Sequence, residues 1–211
     1  MIAREHDFLL KPEERGPIEL LHGEFNTLHN TDIELAFQRI LQTFKPKHNK
    51  AIFSLCTSTR PYIQSIKWAT FNRNFGGDCD LIVCSNGGII PMEYMCCYPF
   101  LEYDAHREPK YDELYNERFE YRLETFLEKF GANYKVKVFS FLPSSRNRVV
   151  LEKLGYANIV PTDTTYQKIK NSDEKGINLL RYPQCSIHSL REMSEILGVP
   201  LKNQPKSIRL F

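Results

Sequence analysis

The stretch Lys50-Ala-Ile-Phe-Ser-Leu55 runs directly into Cys56-Thr-Ser-Thr-Arg60-Pro-Tyr-Ile-Gln-Ser65. Residues 50–55 are apolar at nearly every position, which is typical of a strand covered on both faces of a parallel sheet. The loop that follows offers hydroxyls, backbone N–H groups, a thiol and a guanidinium, which suit a planar polar ligand or a phosphate. Open α/β sheets bind ligands beyond the carboxyl ends of their strands. The spacing predicts a ligand floor, and a plain polar turn remains an equal alternative.

Outward from this stretch, helical and strand patterns alternate. A Thr31–Glu34 capping box predicts the start of the first of these helices, which Pro46 stops. The periodicity of apolar residues predicts helices over 31–44, 66–75, 112–130, 146–154 and 186–197, a short one over 92–97, and strands over 50–55, 80–84, 134–141 and 157–160. This alternation predicts a three-layer α/β/α fold with a short, mostly parallel sheet.

One domain accounts for the pattern. Residues 1–30 read as an irregular arm with one short strand or helix around 18–21, and residues 31–211 as a single α/β domain. Residues 161–180 are polar and show no clear periodicity. The chain has no internal repeat and no low-complexity tract.

Composition narrows the class of protein. The 211 residues are 42% hydrophobic and 26% charged, as in an ordinary globular domain, and the net charge of +2 is too small to indicate nucleic acid by itself. No window approaches the ~20 apolar residues that span a bilayer, and the N-terminus lacks the layout of a signal peptide. We therefore expect a cytoplasmic protein that does not bind a membrane.

The six cysteines fit that compartment as reduced thiols. None forms a Cys-x-x-Cys pair, and the histidines are not at finger spacing, so buried structural cysteine is favoured over zinc. We expect neither a metal nor a cofactor.

Three predicted strand ends lead into loops that should share one edge of the sheet: 56–65, 85–91 and 142–146. Each loop is rich in hydroxyls or small residues, and arginines follow two of the strands at Arg60, Arg146 and Arg148. Gly87 and Gly88 permit close backbone approach to a ligand, although they also suit a tight turn. The convergence predicts a pocket for a flat, polar ligand with a phosphate nearby.

Aromatic residues lie beside a carboxylate in Tyr98-Pro-Phe-Leu-Glu-Tyr103-Asp104. A tyrosine stacks on bases, and an aspartate accepts hydrogen bonds from exocyclic N–H groups. Ordinary core packing is the preferred explanation for Phe100, whereas Tyr103 and Asp104 are equally consistent with either role.

The sequence contains no Gly-x-Gly-x-x-Gly, Gly-x-x-x-x-Gly-Lys or Gly-x-Ser-x-Gly motif. Cys56 is a candidate nucleophile, because a thiol near Arg60 at a helix N-terminus would have a lowered pKa. No histidine lies at a position in the sequence that would indicate a general base for this thiol.

The segment from Cys56 to Trp68 resembles the signature Pro-Cys-x-x-x-Lys-Pro-Tyr-x-x-Ser-x-x-His of archaeosine synthase, the archaeal tRNA-modifying enzyme. Cys84-Ser-Asn-Gly-Gly-Ile-Ile-Pro91-Met-Glu93 and the Tyr98–Asp104 segment resemble two further motifs of the same domain, in the same order. The resemblance covers about residues 50–160. The matching positions are Cys56, Pro61, Tyr62, Ser65, Gly87, Pro91, Glu93, Tyr103 and Asp104.

This resemblance implies a fold similar to that of uracil-DNA glycosylases and a link to deazaguanine chemistry in tRNA. Three positions depart from the signature: Leu55 replaces its proline, Arg60 its lysine and Trp68 its histidine. Arginine keeps the charge but cannot act as an amine nucleophile or base. Any chemistry that depends on the lysine and histidine is therefore placed in doubt, and no catalytic residue is assigned.

Our leading hypothesis is a stand-alone relative of the archaeosine synthase core domain that binds a nucleobase-like small molecule or modified tRNA. One version works with a separate tRNA-modifying partner subunit, and any activity would be transferase- or amidinotransferase-like. The candidate binding residues are Cys56, Ser58, Arg60, Pro61, Tyr62, Ser65, Asn86, Gly87, Glu93, Tyr103 and Asp104. The alternatives are a non-catalytic protein-interaction module and a distinct enzyme with Cys56 as its nucleophile.

Overall fold

The computed structural model describes residues 9–17, 20–101, 103–104, 107–172 and 182–202, without the side chain of Asp104. The strands in this part of the chain are β1 (Leu21–His22), β2 (Lys50–Leu55), β3 (Asp80–Ser85), β4 (Gly88–Pro91), β5 (Tyr103–Asp104), β6 (Val136–Ser140) and β7 (Ile159–Val160). The helices are α1 (Glu24–His29), α2 (Thr31–Thr43), α3 (Ile66–Phe75), α4 (Asp112–Phe130), α5 (Arg146–Lys153), α6 (Asp163–Asn171) and α7 (Ile187–Leu197).

The main sheet has five strands in the order β4-β3-β2-β6-β7. Strand β2 lies at its centre and pairs in parallel with β3 and β6, with Leu55 opposite Cys84 and Ser54 opposite Ser140. Strand β7 continues the parallel arrangement, whereas β4 folds back antiparallel on β3. Strands β1 and β5 form a separate two-stranded parallel sheet. The mostly parallel sheet confirms the predicted α/β class.

Helices cover both faces of this sheet. Phe53 on one face of β2 contacts Phe126 of α4, with ring centroids 6.1 Å apart. Its neighbour Ser54 points to the other face, because successive strand side chains alternate, and there it meets Lys67 of α3. Helix α2 packs with α4 on the first face, and α7 packs on β6 and β7. The three layers predicted from the alternation are therefore present.

The core is rich in aromatic side chains, with Phe53 at its centre. Phe53 is fully buried and stacks on Phe139 of the neighbouring strand at 5.0 Å between ring centroids. Such pairs add about 0.5–1.5 kcal/mol beyond the area they bury. The sheet that positions the strand-end loops thus rests on a well-packed aromatic layer.

Several local predictions were wrong for identifiable reasons. The cap of α2 is Asn30, whose side-chain oxygen accepts from the Ile33 N–H at 3.0 Å, and not Thr31. Glu34 is free of any capping role and bonds Arg122 at 3.2 Å instead.

Other elements differ in kind from the sequence interpretation. The 85–91 segment is a tight hairpin whose second half is β4, because Gly88 adopts a φ of +124°. Residues 92–97 contain only a single 3-10 turn. The arm contributes β1 and α1, the polar stretch after 160 contains α6, and Ile18 and Glu19 lie outside the described residues.

Truncating Phe53 should test the central packing. We expect Phe53→Ala to lower the free energy of unfolding by about 3–5 kcal/mol, because the cavity left between the Phe126 and Phe139 rings cannot collapse fully. The matched control is Val149→Ala, since Val149 is 66% exposed and should change stability by less than ~0.5 kcal/mol. Urea unfolding followed by circular dichroism measures both, and equal losses would contradict the assignment of Phe53 to the core.

Candidate functional site

The carboxyl ends of β2, β3 and β6 lie at one edge of the sheet, because these strands are parallel neighbours. The backbone N–H of Cys56 donates to the Cys84 carbonyl at 2.8 Å, so the first two loops leave the sheet side by side. The loop after β6 leads into Arg146 at the start of α5. This carboxyl edge is the place where open α/β sheets bind ligands.

Arg60 lies over two tyrosine rings at this edge. Its guanidinium carbon is 4.3 Å from the ring centroid of Tyr62 and 4.7 Å from that of Tyr103. The guanidinium also donates to the Thr57 carbonyl, which folds the loop over itself. Among the side chains that the structure describes, no carboxylate forms an ion pair with Arg60. We call Arg60, Tyr62 and Tyr103 the arginine–tyrosine cluster.

The two tyrosines of this cluster are buried and joined by a hydrogen bond between their hydroxyls. Burial raises the pKa of Tyr62 well above its usual value and that of Tyr103 to about 12. Gly87 is required beside them, because a Cβ there would stand 3.0 Å from the Tyr103 ring. The rings are therefore neutral hydrogen-bonding and stacking surfaces that Arg60 covers.

The Cys56 thiol lies near three cationic side chains, but its pKa is not lowered as the sequence predicted. Arg60, Lys67 and Arg146 each favour the thiolate, yet burial outweighs them and raises the pKa of Cys56. Helix α3 begins ten residues later at Ile66, with Ser65 as its N-cap, so Cys56 does not lie in its first turn. The expectation of a lowered thiol pKa is wrong.

Lys67 is a buried amine that the sequence analysis did not single out. Only 2% of it is exposed, and its Nζ donates to the Leu55 carbonyl and, at 3.3 Å, to Ser54 Oγ. Desolvation lowers the pKa of Lys67 to about 8. At pH 7 about a tenth of this amine is therefore uncharged.

A second polar cluster fills the edge between the loops after β3 and β6. The fully buried carboxylate of Glu24 accepts from the Arg146 guanidinium, from Asn86 Nδ2 at 2.7 Å and from the Glu108 N–H at 2.7 Å. Arg146 also pairs with Asp112 at 2.7 Å. Each charge in this glutamate–arginine network has an opposite partner.

Asn86 and Arg146 are held from the core side as well. The Arg146 guanidinium stacks on the Tyr115 ring at 3.4 Å, and Arg122 donates to the Asn86 carbonyl at 3.1 Å. Hydrogen bonds from Arg107 and Arg146 lower the pKa of Asp112 to about 2. Asp112 is thus ionised at neutral pH, and contacts from Tyr115 and Arg122 support the network from the core side.

The candidate residues separate into groups. Cys56, Arg60, Tyr62, Gly87 and Tyr103 meet at the carboxyl edge, where Asn86 belongs to the glutamate–arginine network. Ser58 is exposed and Pro61 is half-buried in the loop. The Ser65 hydroxyl caps α3, because its oxygen accepts from the Trp68 backbone N–H at 3.3 Å. The Asp104 side chain lies outside the described residues.

Glu93 lies away from this group. It pairs with Lys47 and lines a surface cavity of about 260 Å³ together with Asp80 and Pro91. Asp80 begins β3 and Pro91 ends the antiparallel β4, so this cavity is at the opposite, amino edge of the parallel strands. The structure does not bring Glu93 together with Arg60.

Two buried charged residues at this edge, Glu24 and Lys67, were not predicted from the sequence. Glu24 acts on partners 62 and 122 residues away, and no local spacing could have indicated that. Lys67 lies within the short helix predicted over residues 66–75. Its position on the first turn of that helix, two residues after Ser65, was the available signal. A long amine there can reach back to the end of β2.

In the part of the chain that the structure describes, no group of three or more histidine, cysteine or carboxylate side chains is placed to hold a metal ion. No helix there is both long and apolar enough to cross a membrane, the 19-residue α4 included.

Comparison with known proteins gives a family and one structural likeness. The family described as "Domain of unknown function (DUF5591)" matches residues 33–182. The crystal structure of AF0587, a protein of unknown function, is similar at 16% identity with a TM-score of 0.49, covering 82% of this chain and 52% of that one. This chain therefore spans about half the length of that protein. A search of curated proteins found no match.

Glu24→Ala should reveal how much the glutamate–arginine network stabilises the fold. We expect a loss of about 3–5 kcal/mol, because the variant leaves Arg146 buried with one anionic partner fewer. Glu13→Ala, at an exposed position of the arm, serves as the control and should stay within ~0.5 kcal/mol. Chemical denaturation measures both, and a near-neutral Glu24→Ala would show that α1 does not hold the edge together.

The lowered pKa of Lys67 predicts that this residue makes the fold more stable as the pH rises. The unfolded amine keeps its proton up to about pH 10.4, whereas the folded one loses it near pH 8. Protonation therefore costs the folded state about 3 kcal/mol below pH 8, and this cost disappears as the pH rises from 8 to about 10.4.

The stability of the wild type minus that of Lys67→Met should consequently rise over that window. Taking this difference removes the contributions of tyrosine and cysteine titration, because the two proteins share those residues. Denaturation curves at pH 7, 8, 9 and 10 measure it, and a flat difference would mean that Lys67 is charged in the fold.

Proposed function

The chain belongs to the DUF5591 family, and we propose that it is a stand-alone relative of the archaeosine synthase core domain that binds a nucleobase or modified tRNA. The proposal is supported by the motif resemblance and by one structural observation. The guanidinium of Arg60 lies over the rings of Tyr62 and Tyr103 at the carboxyl edge, with no carboxylate partner among the described side chains.

In this proposal Arg60 supplies the ligand contact. Tyr62 is fully buried and Tyr103 is 3% exposed, so a base would not reach their rings while Arg60 covers them. Guanidinium planes themselves stack on bases, and their N–H groups bind phosphate or carbonyl oxygens. The base would therefore stack on the outer face of Arg60, with the tyrosines supporting that plane from behind.

The electrostatics of the edge favour an anionic or electron-rich ligand. Glu24 and Asp112 compensate Arg146, whereas Arg60 and Lys67 have no described carboxylate partner. Of the two carboxylates predicted to read ring N–H groups, Glu93 lies at the amino edge and the side chain of Asp104 lies outside the described residues. The fold thus offers positive charge and a flat surface at the same loop.

Two of the three departures from the signature argue for binding without the synthase chemistry. Arg60 cannot supply a neutral amine. Trp68 is fully buried and packs edge-on against Phe71 at 5.8 Å, so the position of the signature histidine serves the core here. The proposed role is recognition of a deazaguanine-type base or tRNA, with any chemistry supplied by a separate partner subunit.

Removing the Arg60 charge should weaken this binding. We expect Arg60→Gln to reduce affinity for tRNA or a free deazaguanine at least about tenfold, because a stacked base contributes ~1–3 kcal/mol. Arg73→Gln removes the same charge from an exposed position near the other end of α3 and should change affinity less than about twofold. Fluorescence titration measures both, and a wild-type protein that binds neither ligand at tens of micromolar would refute the proposal.

A second candidate is a protein-interaction module that kept the fold and lost the chemistry. The buried Trp68 favours it, because a core residue stands where the signature has a histidine. In that case Arg60→Ala and Asp104→Ala would leave every measurable binding event intact while a partner protein still co-purified with both variants. Loss of the partner from either variant would argue against this candidate.

A further inference from the structure

The cavity at the amino edge of the sheet has an apolar wall and a charged wall. Its volume is about 260 Å³, close to the lower end of the ~300–1,000 Å³ that is typical of ligand pockets. The buried side chains of Phe44 and Ile82 belong to the apolar wall, together with the half-buried Met92. A space of this size and lining suits a small ligand with an apolar body.

The charged wall has more carboxylates than ammonium groups. Asp80 and Glu93 line it together with Lys47, whose ammonium pairs with Glu93. His48 adds no negative charge, and burial raises the pKa of the Cys79 thiol to about 12, so that thiol is neutral. Within the part of the chain that the structure describes, no cationic group lies within ion-pair distance of Asp80. The negative charge that lacks a direct partner is therefore that of Asp80.

Neutral donors hold the Asp80 carboxylate in place. It accepts from the Lys47 backbone N–H at 3.0 and 3.3 Å and from the Tyr134 hydroxyl at 3.0 Å. A carboxylate has about four acceptor sites, so these two donors leave part of its capacity unused. Asp80 is 8% exposed, and a charge at that depth gains more from a cationic partner than a charge in water does. The cavity thus presents a fixed anion that a ligand cation would neutralise.

The two walls together favour an organic cation over a metal ion or an anion. Hard metal ions take six or more oxygen ligands, and the wall formed by Phe44, Ile82 and Met92 offers none. Among the described residues, no group of three or more histidine, cysteine or carboxylate side chains is placed to hold a metal ion. An anionic ligand would meet Asp80 and Glu93 as like charges. An amine with an apolar body satisfies both walls.

We propose that the amino-edge cavity is a binding site for a small monoamine with an apolar body. The ligand ammonium pairs with the Asp80 carboxylate, and the body packs on Phe44 and Met92. Lys47 lies beside this site as a like charge that also occupies Glu93, so it lowers the affinity for the amine. The site is separate from the carboxyl edge and does not depend on nucleobase or tRNA binding.

Three probes that share one apolar body test the ligand class on the full chain. The nitrogen-15-labelled protein is titrated with 2-phenylethylamine, 2-phenylethanol and 3-phenylpropionate, and backbone amide shifts are followed. The amine should give saturable shifts in residues 44–48, 76–82 and 91–93, and the alcohol should bind at least about tenfold more weakly, because it lacks the charge-assisted hydrogen bond. Equal binding of the alcohol, tighter binding of the anion, or no saturable shift with the amine below about 10 mM would overturn the proposal.

A variant at the exposed Lys47 tests the charge argument without disturbing the core. The side chain of Lys47 is 65% exposed, and Lys47→Met keeps the backbone N–H that Asp80 accepts. We expect Lys47→Met to bind 2-phenylethylamine about threefold more tightly and 2-phenylethanol no differently. Lys45→Met removes the same charge at an exposed position outside the cavity and should change the affinity less than about 1.5-fold. Unchanged or weaker amine binding by Lys47→Met would contradict the site.

Asp80→Asn removes the proposed anchor itself. We expect at least about a tenfold loss of affinity for 2-phenylethylamine, with the affinity for 2-phenylethanol kept, because only the amine uses the charge. An Asp80→Asn variant with a native amide spectrum and wild-type amine affinity would overturn the proposal. If Asp80→Asn does not fold, the Lys47→Met and Lys45→Met comparison decides the outcome by itself.

Discussion

Parallel pairing of β2 with β3 and β6 is the constraint on which the rest of the molecule depends. It puts the ends of three central strands at the same edge, so that Cys56, Asn86 and Arg146 become neighbours although they are far apart in sequence. The same pairing fixes Phe53 toward α4 and Ser54 toward α3. A shift of one residue in this register would exchange the two faces and place a hydroxyl in the aromatic core.

Charge is distributed unequally along this edge. On one side Glu24, Arg146 and Asp112 form a closed network in which every charge is paired. On the other side Arg60 rests on aromatic rings and Lys67 on two oxygens, with no described carboxylate for either. The paired side holds the N-terminal helix on the sheet, and the unpaired side is where an anionic ligand would gain most. The proposed nucleobase site lies on this second side.

Regular elements with strong periodicity could be predicted from the sequence, among them α2, β2, α3, β3, α4 and α7. Strand β4 was missed because two glycines suggested only a turn, and α6 because residues 161–180 are mostly polar and show no clear periodicity. The arginine–tyrosine cluster was partly anticipated, since Arg60 and Tyr62 share a loop and a motif. The Glu24 network could not be, because its ion pair spans 122 residues and depends on where the arm returns to the sheet.

The central claim is that the nucleobase binds at the carboxyl edge and not at the amino edge, where the cavity beside Glu93 lies. A titration of the nitrogen-15-labelled protein with a free deazaguanine base, followed by backbone amide chemical shifts, tests it most directly. The account predicts saturable shifts in residues 56–65, 86–88 and 103. Shifts confined to residues 78–82 and 91–93, with the carboxyl edge unchanged, would contradict it.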